Sequence, residues 1–338
     1  MGKLLGAVLE KVSIIIPVYN RKKYIDLTIE SCLSQDYPSL EVIVVDDGST
    51  DGLDQYIKKY DGKIIYAFQC NQGAPSARNT GLRMCSGEYV LFLDAGDYLL
   101  EGSIKTLMSY VKDKTDIVLG NMYIEYEGGS RKIQRNVLTK HKYYGDDCCE
   151  FCCLAATPPT KVYRKKLLDK NDIEYSDLSI GQDLSFHLKC VLACESIFTI
   201  PDCVSSGIQM EGGISRTYTG KIAGIIDAFR DVENYASKNQ DHMQRYERLK
   251  YVEYYHLFWQ LIKVPLIIEK KERKETAHLL VSEFSRLKLE VNGWKYRDVK
   301  KFYCFLMIIK MMIELWTSNC FCYFYRKLFS FKQRRNYR

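Results

Sequence analysis

An α/β fold built around a mixed, mainly parallel sheet flanked by helices, with a helical C-terminal extension, is predicted by three features of the sequence. Apolar, β-branched runs recur at 12–17, 40–45, 64–68 and 88–93. Stretches with helical spacing of apolar residues separate them, and no short hairpin connection joins one run to the next. Such a series requires right-handed crossovers between parallel strands. The polar residues that end the strands then gather on one edge, where open α/β sheets bind their ligands.

The first strand, Val12 to Pro17, is stopped by Pro17 and Asn20, and Arg21 to Gln35 is helical, with Tyr24, Leu27, Ile29, Cys32 and Leu33 apolar. Leu40 to Val45 is a second buried strand. The run Asp46-Asp47-Gly48-Ser49-Thr50-Asp51-Gly52 breaks it with turn and N-cap chemistry, opening a helix toward Lys59. Ile64 to Phe68 is the third strand, and Asn71 to Asn79 opens a helix that ends near Ser86-Gly87.

Glu88 to Leu93 is the fourth strand, and it stops abruptly at Asp94-Ala95-Gly96-Asp97. A buried strand has no use for acids at its tip. Two carboxylates three positions apart suit a hard divalent cation that bridges protein to phosphate oxygens. The same pair is also what a solvated turn uses to cap the helix beginning near Glu101. A helix at Ser103–Val111 and a strand at Asp116–Tyr126 follow, with Gly128-Gly129 as a turn, whereas 130–157 shows no clear period.

The chain, at 338 residues, exceeds what one core usually absorbs, so a large domain with an appended smaller part is expected. The expected division is a larger domain at 1–217, a helical accessory region at 218–300 and an aromatic and basic segment at 301–338. With 46% hydrophobic and 27% charged residues the composition is globular, and the net charge of +7 is too modest to suggest a nucleic-acid partner. Residues 1–11 lack a continuous apolar stretch, which predicts a reducing, intracellular setting in which the thirteen cysteines are mostly free thiols. Cys148, Cys149, Cys152 and Cys153 have no second His/Cys group at zinc-finger spacing and read as small buried hydrophobes.

Four segments carry a resemblance. Val-Ser-Ile-Ile-Ile-Pro-Val-Tyr-Asn at 12–20, Val-Val-Asp-Asp-Gly-Ser-Thr-Asp at 44–51, Asn71-Gln-Gly with Ala77-Arg78-Asn79 and Gly81, and Gly87 through Asp97 stand in the order of the motifs of family-2 inverting glycosyltransferases with the GT-A fold. The likeness runs from about 11 to 216. It implies a nucleoside-diphosphate-sugar donor, UDP-linked, and a glycan or lipid-linked acceptor in cell-surface polysaccharide synthesis. It further implies that Pro17, Tyr19, Asn20, Asp47, Gly48, Ser49, Arg78 and Asp94 bind the donor. Tyr19 would stack on the base, Asp47 would accept from the base N–H, and Arg78 would reach the ribose or diphosphate. Read without it, Tyr19 suits a core edge, Asp47 a helix cap and Arg78 a solvated helix face.

Ile180-Gly181-Gln182-Asp183 resembles the family's G-E-D motif and makes Asp183 the general base, although an N-cap for the helix 184–193 is the simpler use of that residue. Gln182 replaces the usual glutamate, and Arg216, at the end of an acceptor-side loop, is a candidate for the diphosphate. Gly96 stands where the family usually has its principal metal-binding acid, so Asp97, with Asp94, must hold any Mn2+ or Mg2+. That departure, with Gln182, keeps a catalytically impaired nucleotide-sugar-binding or scaffold protein as the alternative. A nucleotidyltransferase is disfavoured, because no Gly/Arg/Lys-rich loop follows the first strand.

Beyond Tyr218 the sequence is helical, with Val252, Tyr255, His256, Phe258, Trp259, Leu261 and Ile262 on one broad face. Phe302 to Tyr325 is almost wholly apolar or aromatic, and 326–338 carries Arg326, Lys327, Lys332, Arg334, Arg335 and Arg338 without an acid. This predicts a helix lying in a membrane interface with a basic tail on anionic lipid, hence a peripheral protein on the cytoplasmic face. A core helix or dimer surface is the competing use.

Overall fold

The computed structural model describes residues 9–111, 115–126, 130–134, 139–153, 156–209 and 218–287. Arg216 and the segment 301–338 lie outside the described residues. The chain divides into two compact units, one formed by Met1–Asp177, Gln182–Met210 and Tyr235–Arg245, the other by Leu178–Gly181, Glu211–Asn234 and Tyr246–Arg338.

In the first unit, ten strands among the described residues form one sheet. They are β1 (Val12–Val18), β2 (Leu40–Asp46), β3 (Ile65–Phe68), β4 (Tyr89–Phe92), β5 (Tyr98–Leu99), β6 (Ile117–Tyr126), β7 (Arg131–Gln134), β8 (His141–Tyr144), β9 (Lys161–Arg164) and β10 (Ser196–Gln209). Their spatial order is β3-β2-β1-β4-β9-β6-β10-β5, with β7 on β6 and β8 on β10. The first four strands are parallel, as the alternation of strand and helix patterns predicts. β9 runs antiparallel to both β4 and β6, and β10 runs parallel to β6. The C-terminal ends of β1, β2, β4, β6 and β10 therefore share one edge, and β9 begins on that same edge.

Every residue of β1 is buried, which places it at the centre of the core. Burying an isoleucine or valine contributes about 1.5–3 kcal/mol, so this seven-residue strand is the strongest single determinant of the sheet. Pro17 is tolerated there because β4 pairs β1 only as far as Ile15↔Phe92, leaving no ladder bond for its missing N–H on that side. The strand consequently runs one residue beyond the predicted stop.

The helices of this unit are α1 (Lys22–Leu33), α2 (Leu53–Tyr56), α3 (Ala74–Met84), α4 (Ser103–Met108), α5 (Lys165–Lys170) and α6 (Gln182–Ala193). Where the sequence shows no period, at 130–157, the structure has the short strands β7 and β8 and a 3-10 turn at Gly145–Cys153. These strands are four residues long, with no fully buried position, so there is no in–out alternation to detect.

The second unit is helical, built from most of α7 (Ile225–Ala236), most of α8 (Gln240–Lys263) and α9 (Lys270–Arg286). On α8, Leu257 and Leu261 are fully buried while Tyr255 and Trp259 remain about half exposed, so the predicted apolar stripe is divided between core and surface. Among the described residues no helix is long and apolar enough to cross a membrane.

Candidate active site

The ends of β1 and β2 are fastened to each other by side chains. The Asn20 N–H donates to Ser49 Oγ at 2.9 Å, and the Thr50 N–H donates to Asn20 Oδ1 at 2.8 Å. Asp46 accepts from the Ser49 N–H at 2.8 Å and from the Tyr66 hydroxyl at 2.8 Å. Tyr19 projects from this corner 48% exposed. Gly48 turns the chain with φ of +80°, and a Cβ there would lie 2.8 Å from the Asn71 nitrogen.

Asp47 is buried and accepts from the N–H of Gln72 at 2.9 Å, the N–H of Gly73 at 2.7 Å and Gln69 Nε2 at 2.7 Å. It thus supplies the cap that α3 lacks from its own N-terminal residue, Gly73. It does not cap the helix of the 50s, which starts after Gly52 without a side-chain bond. A carboxylate has about four acceptor positions, so one remains for an incoming N–H.

Arg78 points inward from α3 and is only 2% exposed, so the solvated-helix use is excluded. Its Nη2 donates to Asp94 Oδ1 at 2.6 Å, and its Nη1 lies 3.2 Å from Asp183 Oδ1. The guanidinium carbon sits 4.9 Å from the centre of the Tyr175 ring. One planar cation therefore joins the acid after β4 to the acid that opens α6, a geometry suited to arginine. Burial opposes the charge on Arg78, but Asp94 and Asp183 more than offset it and hold the guanidinium protonated.

Asp183 lies in the first turn of α6, with Gln182 before it. Its Oδ1 is enclosed beside Arg78, while 33% of its side-chain surface stays open. Burial pushes its carboxyl up to about 6, Arg78 and Lys161 pull against that shift, and Asp94 adds to it. Beneath it, Phe186 stacks on Tyr175 at 4.1 Å and meets Phe92 and Tyr163 edge-on at 5.5 and 5.4 Å. Asn79 clamps the backbone of Tyr175, donating to its carbonyl and accepting from its N–H, each at 2.8 Å.

The acidic turn is built around Thr28, whose hydroxyl accepts from the Gly96 N–H at 2.9 Å and donates to the Asp97 carbonyl at 2.7 Å. Neither acid caps α4, which begins after Gly102 with no side-chain bond. Asp97 tucks its carboxyl against β10, where a Cβ on Gly207 would lie 3.1 Å from Oδ1. Burial, then the charge of Asp94, pushes Asp97 up to about 8, against a bond from the Ile208 N–H.

No group of three or more His, Cys, Asp or Glu side chains with metal-site geometry occurs among the described residues. Asp94, with one oxygen on Arg78, and Asp97, with its carboxyl against β10, are the two acids of the turn that could contribute oxygen ligands to Mn2+ or Mg2+.

Asp94, Arg78 and Asp183 are brought together, and Asp97 borders them through Asp94. Asp47, Gly48 and Ser49 stand with Pro17, Tyr19 and Asn20 at the ends of β1 and β2. Asn79, Tyr175, Thr28 and the buried Lys161 were not singled out by the sequence reading as site residues. Asn79 stands in a recognisable motif and Lys161 in the segment Thr160–Leu168 that resembles the family's acceptor-side stretch, but the partners of Asn79, Tyr175 and Thr28 are distant in the chain.

Residues 13–171 match the model of the glycosyl transferase family 2. They form a family 2 glycosyltransferase domain. The chain is 32% identical over 200 residues to the poly(ribitol-phosphate) beta-N-acetylglucosaminyltransferase TarS of Staphylococcus aureus, an alignment covering 57% of this chain and 34% of TarS. It is 40% identical over 127 residues to the GalNAc(5)-diNAcBac-PP-undecaprenol beta-1,3-glucosyltransferase of Campylobacter jejuni, covering 36% of this chain and 41% of that protein. The chain thus spans about a third to two fifths of the length of these relatives.

The crystal structure of S. aureus TarS 1-349 with UDP-GlcNAc superposes with a TM-score of 0.59 at 24% identity, covering 81% of this chain and 88% of that one. A mannosyltransferase from Pyrobaculum calidifontis, solved with GDP-Man and Mn2+, gives 0.53 at 15% identity, covering 94% and 86%. The fold is the GT-A fold. The family 2 match spans β1 to α5 and ends before α6, so Asp183 enters the site by geometry, through Arg78.

Proposed function

We propose that the chain is an inverting glycosyltransferase that moves a sugar from a UDP-sugar to a glycan or lipid-linked acceptor of a cell-surface polysaccharide. The observation that carries this reading is Arg78 holding Asp94 and Asp183 together at the crevice end of the sheet. The UDP-GlcNAc bound in the TarS structure and the sugar-transfer activities named for the similar TarS and C. jejuni proteins support the sugar-transfer class.

Tyr19 offers an exposed aromatic face to the nucleobase, and Asp47 offers its last acceptor position to a base N–H. Asp94 faces the ribose and the diphosphate. When bound, Mn2+ or Mg2+ supplies positive charge to the diphosphate oxygens, and Asp97 with Asp94 would hold it. Arg216 is assigned to the same diphosphate. Arg78 fixes both carboxylates rather than touching the donor.

The acceptor hydroxyl attacks the anomeric carbon from the face opposite the diphosphate. As that bond forms, the open oxygen of Asp183 takes the hydroxyl proton, and the bond to the diphosphate breaks with its electron pair leaving on the nucleotide. Attack from the opposite face inverts the anomeric centre. Gln182, a neutral amide beside the base, adds no like charge to it.

The test is UDP release from a panel of UDP-sugars with Mn2+ or Mg2+, with and without sugar acceptors. Turnover that disappears in Asp183→Asn, while UDP still raises the melting temperature, is the expected result. Tight nucleotide binding without turnover from any donor would favour the scaffold alternative.

A further inference from the structure

We propose that Lys161 is a positioning residue for this reaction, a fully buried lysine at the crevice end of β9 that works with Arg78 on the Asp183 carboxylate. The proposal rests on the reading of Asp183 as the base.

The topology places Lys161 there. β9 runs against β4 and β6, so its first residue, Lys161, stands on the edge where those two strands end. Lys161 pairs with Leu119 of β6, while Tyr163 and Arg164 pair with Val90 and Tyr89 of β4. Continuing that antiparallel register sets Lys161 across from Phe92, on the sheet face where Phe92 and Tyr163 meet Phe186 of α6, one turn beyond Asp183. None of its surface is exposed. Its Nζ donates to the Thr157 carbonyl at 2.8 Å and to Thr160 Oγ1 at 3.3 Å, both in the turn leading into β9.

A lysine is almost never fully buried without a charge to meet. Burial depresses this one to about 7, and Asp183, then Cys190, pull it back upward. Lys161 in turn acts on Asp183 against burial.

The groups around the pair come from several elements: Arg78 from α3, Asp94 after β4, Tyr163 from β9, Tyr175 before α6 and Cys190 from α6. Burial raises both phenols and the Cys190 thiol, so these three are neutral. The remaining balance is two cations against two carboxylates. Without Lys161, Arg78 alone would serve Asp94 and Asp183, and the base would keep its proton to a higher pH. Because Lys161 is fully enclosed, it reaches the reaction only through Asp183.

Lys161→Gln keeps a donor for the Thr157 carbonyl and removes the charge. The expected result is UDP affinity within about twofold of the parent, with the acidic limb of kcat moved up by about one pH unit, the size expected of a nearby lost charge. Lys161→Arg should restore the limb. A uniform loss of rate at every pH, with the limb unmoved, would overturn the proposal.

Should Lys161→Gln fail to fold, the unsubstituted protein carrying 13C at lysine Cε is titrated by NMR beside Asp183→Asn. A buried lysine whose midpoint falls in Asp183→Asn supports the pairing, and an unchanged midpoint rejects it. Undiminished turnover in Asp183→Asn would instead remove the base assignment, an outcome distinct from both.

Discussion

At the scale of single residues, the site depends on Arg78 being an arginine. Its two terminal nitrogens reach different carboxylates, Asp94 and Asp183, and a lysine offers one point charge that cannot serve both. Arg78→Lys is expected to lower kcat by about 10–100-fold, the usual loss when a supporting partner of a reactive group is removed, with the acidic limb shifted upward. UDP-binding isotherms and kcat against pH, measured together, check this. Loss of UDP affinity with kcat intact would place Arg78 on the donor after all.

The acids themselves were legible in the sequence, because a carboxylate ending an apolar strand contradicts its surroundings. The resemblance put Arg78 at the donor, but its pairing with two carboxylates was not legible, because one lies after β4 and the other on α6. Lys161 lies in the segment Thr160–Leu168, whose likeness to the family's acceptor-side stretch gave that lysine no role of its own.

At the scale of elements, the acidic turn explains why restoring an aspartate at 96 would not simply strengthen a metal site. Gly96 has φ of +110°, a backbone that residues with a side chain rarely adopt, although a Cβ would meet nothing closer than Tyr24 at 3.8 Å. Gly96→Asp therefore costs about 1–3 kcal/mol of backbone strain. The expected outcome is a lower melting temperature in the metal-free protein, read by calorimetry, with Mn2+ recovering part of the loss. A substitution without thermal cost would show that the turn relaxes freely.

The packing of α6 makes a second expectation at this scale. Phe186 lies one turn beyond Asp183 and contacts Tyr175, Phe92 and Tyr163, so Phe186→Ala should destabilise the fold by about 3–5 kcal/mol in denaturant unfolding. The four parallel strands were readable because buried runs and crossover helices have distinct periods. β7 and β8 were not, being short and uncovered, and the reversal of β9 follows from pairing partners that no local pattern encodes.

At the scale of the whole molecule, buried ionisable groups set opposite pH trends for stability and turnover. Asp183, Glu253 and Asp97 have native values of about 6, 7 and 8, all raised by burial above the ordinary carboxylate range. The native state then binds more protons than the unfolded chain, so each group loses stability as pH rises from about 4 through its native value. Lys161, depressed to about 7, and His256, depressed to about 4, act in the other direction, contributing rises between about 7 and 10.5 and between about 4 and 6.5 that together are smaller than the loss from the three carboxyls. Glu41, held at about 2 by Lys11, Ser13 and Ser86 despite burial, loses its contribution only as pH falls below about 4.5. The metal-free protein should therefore melt higher at pH 5 than at pH 7.5, as calorimetry across that range would record. Turnover must run the other way, because at pH 5 about nine tenths of Asp183 carries the proton it has to accept, one pH unit below its native value. A rate about tenfold lower at pH 5, in a protein that is no less stable there, separates titration of the base from acid unfolding. A rate that fell only where the melting temperature fell would assign the acidic limb to unfolding.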